Sequence, residues 1–304
     1  MISSTGSTHL EVVIVSYRCE ALLRDCLQAL IHHPALTGMQ VRVVDNASHD
    51  GTAEMVAREF PQVELTVNKT NLGFSAANNI GIRAGTTPYV LALNPDTQVT
   101  EGALDRMLEL MESQPGVAVS GPRLLLKDGE FDHAAKRSFP TPVSALGHFT
   151  GIARHPRAPG ELGAYRAPEV KAGPVDAVNG AFMLMRREAL SQVGLFDEGF
   201  WMYMEDLDLC YRLREAGWVT WYEPSATVIH VKAGTTGPRR SLRLNRAFHY
   251  GMHRFYSKHY AADRSAPVNL AVYIGIWLKF GISATRGGLA RVGLRVAGLR
   301  ARRS

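Results

Sequence analysis

The fold of this chain is indicated by residues 10–31, LEVVIVSYRCEALLRDCLQALI. The first seven residues are mostly β-branched and apolar, as in a strand that is covered on both faces. From residue 21 onward the apolar side chains recur at helical spacing. They are Leu22, Leu23, Cys26, Leu27 and Leu30. A buried strand followed by an amphipathic helix is the repeating unit of parallel α/β sheets, so the stretch predicts that class of fold.

The same alternation continues as far as residue 121. It predicts further strands at 41–45, 63–67, 88–93 and 117–121, and helices at 52–59, 74–84 and 101–113. Crossovers between parallel strands are right-handed. We therefore predict a Rossmann-like α/β architecture, in which helices flank a mostly parallel sheet.

Regular patterns are lost from 122 to 174, where Pro, Gly, His and Arg are frequent. An irregular connection of this length usually carries function or is mobile. Order returns at 175–186 and 188–193, followed by a helix at 207–216 and strands at 219–222 and 226–231. These patterns divide the chain into a disordered lead at 1–9, two halves at 10–121 and 122–260, and a tail at 261–304.

The composition is that of an ordinary globular protein, with 46% hydrophobic and 20% charged residues among 304. The three cysteines, Cys19, Cys26 and Cys210, form no CxxC pair, so neither a disulfide framework nor a cysteine zinc site is expected. Residues 1–9 lack the basic start and apolar core of a secretory signal. A cytoplasmic location is therefore expected.

The net charge of +6 is concentrated at the C-terminal end. Seven basic residues and no acidic ones lie between Lys279 and the last residue, whereas the rest of the chain has 27 basic and 28 acidic residues. A basic tail on a nearly neutral body indicates an acidic surface as its partner, either a membrane or a nucleic acid. The neutral body disfavours a nucleic-acid-binding protein, which would carry its charge over the binding face.

The tail also contains an apolar segment at 268–284. Its 17 residues include Asn269 and Lys279, and a membrane-spanning helix needs about 20 predominantly apolar residues. Beyond it, apolar and basic side chains occupy different faces of a helical pattern. We predict a basic amphipathic helix that docks on the inner face of the cell membrane, with a short span or a disordered tail as the alternatives.

Polar residues follow two of the predicted strands at the edge where open α/β sheets bind ligands. No GxGxxG or Walker sequence is present, which disfavours dinucleotide and P-loop proteins. Asp45 could accept hydrogen bonds from a pyrimidine or a ribose, or form an Asx turn with Asp50 capping the next helix. Asn94 and Asp96 are oxygen ligands that suit Mg²⁺ or Mn²⁺, and the alternative is a plain turn.

Three further sites are less specific by themselves. Gly73 permits a close backbone approach before a helix whose N–H groups could bind an anion, although a simple loop-to-helix junction explains it equally well. His230 could be another metal ligand or a structural histidine. Glu205 and Asp206 follow an aromatic segment at 201–203, and they are either a general base beside a sugar-binding wall or acids that complement a helix dipole.

Together these motifs resemble glycosyltransferase family 2, and most of all its bacterial rhamnosyltransferase-type branch. The resemblance covers about residues 10 to 235. It is carried by VVIVSY at 12–17, DNASHDGT at 45–52, NLGF at 71–74, NPD at 94–96, NGA at 179–181, GLFDE at 194–198 and EDLD at 205–208. The resemblance implies a GT-A fold, a divalent metal and inversion at the anomeric carbon.

The resemblance also implies roles for single residues. Asp45 matches the acid that contacts the nucleotide base, and Asp96 matches the last acid of the DxD metal motif. Asp206 matches the catalytic base, with Glu205 beside it, and His230 matches a late metal ligand. One departure is Asn94, which stands where the motif has its first acid, so metal affinity is expected to be weaker and more dependent on His230.

The remaining expected site residues fall into two sets. The donor set adds Ser16, Tyr17, Asn46, Asn71, Gly73, Asn94, Arg239 and Arg240. The acceptor set is Asn179, Gly180, Trp201, Met202 and Tyr203.

The function predicted from these residues is an inverting, metal-dependent glycosyltransferase that uses a nucleoside-diphosphate sugar, with dTDP-L-rhamnose as the expected donor. The expected acceptor is a lipid-linked or cell-envelope saccharide. A catalytically silent saccharide-binding or membrane scaffold protein is the alternative, and the sequence leaves self-association open. A nucleotidyltransferase lacks support because no glycine-rich loop follows the first strand.

Overall fold

The computed structural model describes residues 10–31, 39–141, 171–232 and 241–301, with side chains described up to residue 285. The chain forms two compact units. The first consists of Met1–Trp201 with Glu205–Thr235, and the second of Met202–Met204 with Thr236–Ser304. The grouping differs from the division expected at residues 121 and 260, because strands from both expected halves share one sheet in the first unit.

The first unit alternates strands and helices along most of its length. Its strands are β1 (Leu10–Ser16), β2 (Gln40–Asp45), β3 (Glu64–Val67), β4 (Tyr89–Leu93), β5 (Thr97–Val99), β6 (Val117–Leu125), β7 (Lys136–Arg137), β8 (Gly173–Pro174), β9 (Ala177–Val178), β10 (Phe182–Arg186) and β11 (Val219–His230). Its helices are α1 (Glu20–Ile31), α2 (Thr52–Glu59), α3 (Phe74–Ala84), α4 (Ala103–Ser113), α5 (Arg187–Val193) and α6 (Glu205–Glu215). The strands and helices predicted between residues 10 and 121 are present.

The described strands form one large mixed sheet and one small ribbon. In the sheet the order is β3-β2-β1-β4-β10-β6-β11-β5, and β8 also pairs with β11. The pairs from β3 to β4 are parallel, as predicted, whereas β10 is antiparallel to both β4 and β6. β10 runs in this direction because it starts beside the end of β4, where the Asn94 N–H donates to the Ala181 carbonyl at 2.9 Å.

β11 is one strand, although the sequence predicted two. Its register with β6 shifts between Glu223 and Thr227, around Pro224. Proline has no N–H to donate to the ladder, and the Ser225 N–H instead donates to the Glu223 carboxylate at 3.1 Å. The strand therefore continues through an irregularity and carries His230 to the edge of the sheet that holds Asp96.

The second unit contains a pair of helices, α7 (Leu242–His259) and α8 (Ala266–Ala301), which are joined by a 3₁₀ turn at Ala261–Asp263. The sequence patterns did not indicate α7. The two helices are tied by hydrogen bonds from the Tyr256 hydroxyl to Asn269 Oδ1 (2.7 Å) and from the Ser283 hydroxyl to Asn245 Oδ1 (3.2 Å). α8 joins the expected apolar segment and the expected amphipathic segment into one continuous helix.

Candidate active site

The ends of β1 and β2 are fastened together by Asp45. Its Oδ1 accepts from the Ser16 hydroxyl at 3.0 Å and from the Ser48 hydroxyl, and its Oδ2 accepts from the Ser48 N–H at 3.0 Å. Only 2% of Asp45 is exposed. The Asx turn is thus present, and a bound base could reach this carboxylate only if a serine hydroxyl released it. Asp50 accepts from the Thr52 N–H at 3.1 Å and so forms a turn just before α2, whose N-cap residue is Gly51 and not Asp50 as predicted.

The amide of Asn46 holds the loop that leads to α3. Its Nδ2 donates to Asn71 Oδ1 and to the Gly73 carbonyl, both at 3.1 Å, and its Oδ1 accepts from Asn68 Nδ2 at 3.1 Å and from the Leu72 N–H at 2.9 Å. The structure therefore brings Asn46, Asn71 and Gly73 together as predicted. The polar groups of these residues hydrogen-bond to one another, so the network stabilises the loop.

Gly73 lies against Trp201. Its φ of +88° lies in the left-handed region, and a Cβ at this position would come within 2.3 Å of the Trp201 carbonyl oxygen. The Phe74 N–H donates to that same oxygen at 2.8 Å. Glycine is required here by the close approach of Trp201, and this first N–H of α3 is occupied by a backbone partner.

α3 and α6 anchor the loop that precedes the acidic pair. From α3, the Ser75 hydroxyl donates to the Phe200 carbonyl at 2.6 Å, and Asn79 Nδ2 donates to the Phe196 carbonyl at 2.8 Å. From α6, Arg212 donates to the carbonyls of Val193 and Leu195 at 2.6 and 2.7 Å. The position of residues 194–201 is therefore fixed by hydrogen bonds from two helices.

Asp96 and His230 come together at the junction of β4, β5 and β11. His230 Nε2 lies 3.6 Å from Asp96 Oδ1, which is a buried oxygen without a hydrogen-bond partner. The other ring nitrogen, Nδ1, lies 3.1 Å from Asp132 Oδ2, and Lys232 donates to Asp132 Oδ1 at 2.7 Å. This arrangement leaves Nε2 and the Asp96 oxygen facing each other.

The charges around His230 shift the pKa values of both His230 and Asp132. Burial lowers the pKa of His230, but the hydrogen bond to Asp132 and the nearby Asp96 carboxylate outweigh burial and raise the pKa to about 9. Burial raises the pKa of Asp132, but the hydrogen bonds from His230 and Lys232 dominate and hold this pKa well below its usual range. Asp132 is therefore an anion that orients the imidazole, like the carboxylates behind many metal-bound histidines.

The donor atoms present fit a divalent cation that is completed by a substrate. Among the described residues, no group of three His, Cys, Asp or Glu side chains forms a closed metal site. Mg²⁺ usually binds one or two protein carboxylates together with substrate phosphates, so Asp96 Oδ1 could be a ligand, joined by His230 Nε2 once the cation displaces its proton. Asn94 contributes backbone bonds to the turn, in which its carbonyl accepts from the Thr97 N–H at 3.2 Å.

Asp206 lies at the start of α6 and is held from three sides. Its Oδ2 accepts from Arg137 of β7 and from the Gly180 N–H at 3.0 Å, and its Oδ1 accepts from the Leu207 N–H at 2.8 Å. Asn179 shapes the turn that presents Gly180, because its Oδ1 accepts from the Ala181 N–H at 2.8 Å. The turn at 179–181 and the acidic pair are therefore neighbours.

Glu205 differs from Asp206 although the two residues are adjacent. Both are 6% exposed, but Glu205 Oε2 is a buried oxygen without a hydrogen-bond partner. Burial and the neighbouring Asp206 charge raise the pKa of Glu205 to about 8. Burial therefore favours the protonated form of Glu205, whereas Asp206 accepts hydrogen bonds from Arg137, Gly180 and Leu207. Environments that separate two carboxyl groups in this way mark acid and base roles in enzymes.

The other predicted site residues have varied surroundings. Tyr17 is half-buried beside Arg18, whose guanidinium lies 5.3 Å from the Tyr17 ring centre. Met202 and Tyr203 belong to the second unit, where the Tyr203 ring packs against Phe248 at 5.8 Å. The predicted diphosphate clamp, Arg239 and Arg240, lies outside the described residues.

Sequence reasoning missed Asp132 and Arg137. Both lie in the segment at 122–174, where no periodic pattern marks them. Asp132 meets His230 across 98 residues of chain, and Arg137 meets Asp206 across 69. Only the folded chain brings these charges to the carboxylates and the imidazole that the motifs singled out.

A mixed α/β sheet with acidic side chains at the ends of β2 and β4 and at the start of α6 is the arrangement that the resemblance to glycosyltransferase family 2 implied. The chain matches the model of glycosyl transferase family 2 over residues 11–194. It is 34% identical over 239 residues to an N-acetylglucosaminyl-diphospho-decaprenol L-rhamnosyltransferase of Mycobacterium tuberculosis, covering 74% of this chain and 75% of that one. This protein belongs to glycosyltransferase family 2 and is similar to its rhamnosyltransferases.

Solved structures support the same fold. A mannosyltransferase from Pyrobaculum calidifontis in complex with GDP-Man and Mn²⁺ matches with a TM-score of 0.56 at 15% identity, over 97% of this chain and 80% of that one. GalNAc-T7 with UDP, GalNAc and Mn²⁺ matches with a TM-score of 0.56 at 14% identity, over 86% and 53% of the respective chains. The predicted GT-A fold and the predicted glycosyltransferase class are thus confirmed.

Proposed function

We propose that this enzyme transfers L-rhamnose from dTDP-L-rhamnose to a lipid-linked saccharide, with inversion at the anomeric carbon. The 34% identity to a rhamnosyltransferase over three quarters of both chains carries the choice of sugar and acceptor. Within the site, the contrast between Asp206, which accepts three hydrogen bonds, and Glu205, whose Oε2 accepts none, supports catalysis by a positioned base. The acceptor class proposed here is a saccharide carried on a polyprenyl diphosphate.

Asp206 is the proposed general base. An acceptor hydroxyl attacks the anomeric carbon from the face opposite the diphosphate while its proton passes to the Asp206 carboxylate. The new bond joins the acceptor oxygen to the anomeric carbon, and the bond from that carbon to the diphosphate oxygen breaks, releasing dTDP. A positioned base of this kind contributes typically ~10²–10⁴-fold in rate. Glu205 stays protonated and adds no second negative charge beside the base.

Asp96 and His230 are the proposed protein ligands of Mg²⁺ or Mn²⁺. When bound, the cation would neutralise charge that develops on the departing diphosphate. Asp132 holds the imidazole through Nδ1, so that Nε2 faces Asp96 and can bind the cation once its proton is displaced. Asn94 carries no charge. Binding of the cation therefore depends more on His230, and on Asp132 behind it, than it would if residue 94 were an acid.

The proposed donor site follows the strand ends. Asp45, Ser16 and Ser48 would receive the base, with a serine hydroxyl moving from Asp45 to the nucleotide. Tyr17, Asn46, Asn71 and Gly73 border this region, and Arg239 with Arg240 are proposed to contact the diphosphate. On the acceptor side we propose the turn at 179–181 together with Trp201.

The second unit is the proposed membrane-docking part. Residues 236–304 contain fourteen basic residues and one acidic residue. Large apolar side chains on α8 are 51% to 61% exposed at a spacing of four residues, which places them on one helix face. They are Leu270, Ile274, Leu278 and Ile282. Basic charge attracts an anionic leaflet by ~1 kcal/mol per residue close to the surface.

Two arrangements of α8 in a membrane are conceivable, and peripheral docking is the one proposed. Ala266–Thr285 is long and apolar enough to cross a membrane by length and composition. However, Asn269 and Tyr273 on α8 are hydrogen-bonded to α7, which carries Arg243, Arg246, Arg254 and Lys258. Carrying those charges into the hydrocarbon core of the membrane would be costly. We therefore expect α8 to lie in the interface of the inner leaflet, with its apolar face toward the lipid chains.

The direct test is a transfer assay with the full-length protein. dTDP-L-rhamnose and a short polyprenyl-diphosphate carrying N-acetylglucosamine are incubated with Mg²⁺ or Mn²⁺, and products are identified by mass spectrometry. The expected product gains one deoxyhexose. Transfer from another nucleotide sugar at a higher rate, or donor cleavage without transfer, would contradict the proposed substrates.

A further inference from the structure

Glu205 and Asp206 pose the question of which carboxyl group carries the negative charge. The two residues are adjacent and each is 6% exposed. Two carboxyl groups that share a buried site do not ionise independently, and the second ionisation is disfavoured by the first. An asymmetric partner is therefore needed to place the charge on one of them.

Arg137 supplies this asymmetry. Its guanidinium donates to Asp206 Oδ2, and its Nη2 also donates to the Val178 carbonyl at 3.2 Å. β7 and β9 pair antiparallel, with Arg137 opposite Ala177, so the backbone that carries the guanidinium is held beside the turn at Gly180. The Arg137 side chain is 17% exposed, and that of Asp206 is 9% exposed. Solvent therefore screens this contact only weakly.

Among the residues that the structure describes, the other ionisable groups near the pair do not provide the same selection. Asp208 lies on the same helix but is paired with Arg212 at 2.8 Å. Cys210 is neutral, because burial raises the pKa of its thiol to about 11. Glu205 lacks the set of donors that surrounds Asp206, and its Oε2 has no hydrogen-bond partner.

We propose that Arg137 is a positioning residue that fixes the negative charge on Asp206 and leaves the shared proton on Glu205, thereby selecting which carboxyl group acts as the base. The inference rests on the proposed role of Asp206 in sugar transfer. Before reaction the pair holds one proton, on Glu205. During reaction Asp206 receives the proton of the acceptor hydroxyl, and it returns this proton to water after the product leaves.

The test compares Arg137→Gln and Arg137→Lys with the parent enzyme in the pH dependence of kcat. An opposite charge in contact shifts the ionisation of a carboxyl group by about 1 to 3 pH units, so the acidic limb of Arg137→Gln should move to higher pH by that amount. Below the acidic limb of the parent, activity should fall about tenfold for each pH unit of this shift, and it should recover on the alkaline side of the shifted limb. Arg137→Lys should keep the acidic limb of the parent with a lower kcat. Lysine keeps the positive charge but lacks the planar guanidinium group.

Two controls separate this role from a structural one. Arg123→Gln removes an exposed arginine from β6 and should change neither the limb nor kcat. Nucleotide binding measured by calorimetry should be unchanged in Arg137→Gln. If that variant does not fold, Arg137→Lys decides the question, since an upward shift of its acidic limb would refute charge selection.

The inference and the proposed function fail in different ways. An unchanged pH profile in Arg137→Gln, together with an inactive Asp206→Asn, would overturn the role of Arg137 alone. Transfer by Asp206→Asn at the parental rate would overturn the base itself. A loss of activity in Arg137→Gln that is equal at every pH would also refute the inference, because charge selection requires recovery at high pH.

Discussion

Replacing Glu205 by glutamine should change how the stability of the protein depends on pH. In the folded protein, burial and the Asp206 charge raise the pKa of Glu205 from 4.5 to about 8. The folded state therefore binds one more proton than the unfolded state between these values, and stability falls as pH rises through this window. Glutamine does not titrate, so the variant lacks this contribution.

The expected change in unfolding free energy follows from the pH interval between the unfolded-state and folded-state pKa values of Glu205. At 1.36 kcal/mol per pH unit, Glu205 should cost the parent roughly 3 kcal/mol of unfolding free energy between pH 5 and pH 7.5. His230, whose pKa is raised to about 9, adds a loss of the same sign above pH 6.5 in both proteins. The difference between the two proteins therefore isolates Glu205.

Urea unfolding followed by tryptophan fluorescence at several pH values measures this difference. The curve of Glu205→Gln against pH should be flatter than that of the parent, with a constant offset for the altered hydrogen bonding. Glu101→Gln, a change at an exposed glutamate, should follow the parent. Parallel curves for Glu205→Gln and the parent would show that Glu205 is ionised in the folded state and would refute the assigned protonation.

Outcomes are also expected for four further variants. Asp206→Asn should abolish sugar transfer while calorimetry shows nucleotide binding within about threefold of the parent, and transfer within tenfold of the parent would reject it as the base. Asp132→Asn should weaken Mn²⁺ binding in the presence of dTDP by about 10- to 100-fold, read by electron paramagnetic resonance, and it should also lower the melting temperature in chelator because it breaks a buried ion pair with His230 and Lys232. Asp96→Ala should remove the binding, whereas equal Mn²⁺ affinity in all three proteins would place the metal elsewhere. Deletion of residues 268–304 should release the protein from anionic vesicles in co-sedimentation and leave turnover of a soluble acceptor analogue, while equal sedimentation of both forms would reject α8 as the anchor.

The sequence alone determined the alternation of strands and helices up to residue 121. Each strand there is a short apolar run and each helix an apolar stripe, so local patterns are sufficient. It also determined the family, because the motifs at 45–52, 94–96 and 205–208 occur in the expected order. His230 was found as a candidate through its place after an apolar run. The helix α7 was not found, because its sequence is rich in basic and aromatic residues that mask its periodicity.

The tertiary structure decided which interactions each predicted residue makes. Asp45 and Asn46 share a strand end, yet both are engaged in hydrogen bonds that shape the loops around them. The sequence alone does not show which of the adjacent acids Glu205 and Asp206 is the proposed base. The distinction depends on Arg137, which lies 69 residues away from Asp206 in the chain. Local patterns encode burial and secondary structure, whereas the charge state of a carboxyl group depends on the solvent and charges that folding places around it.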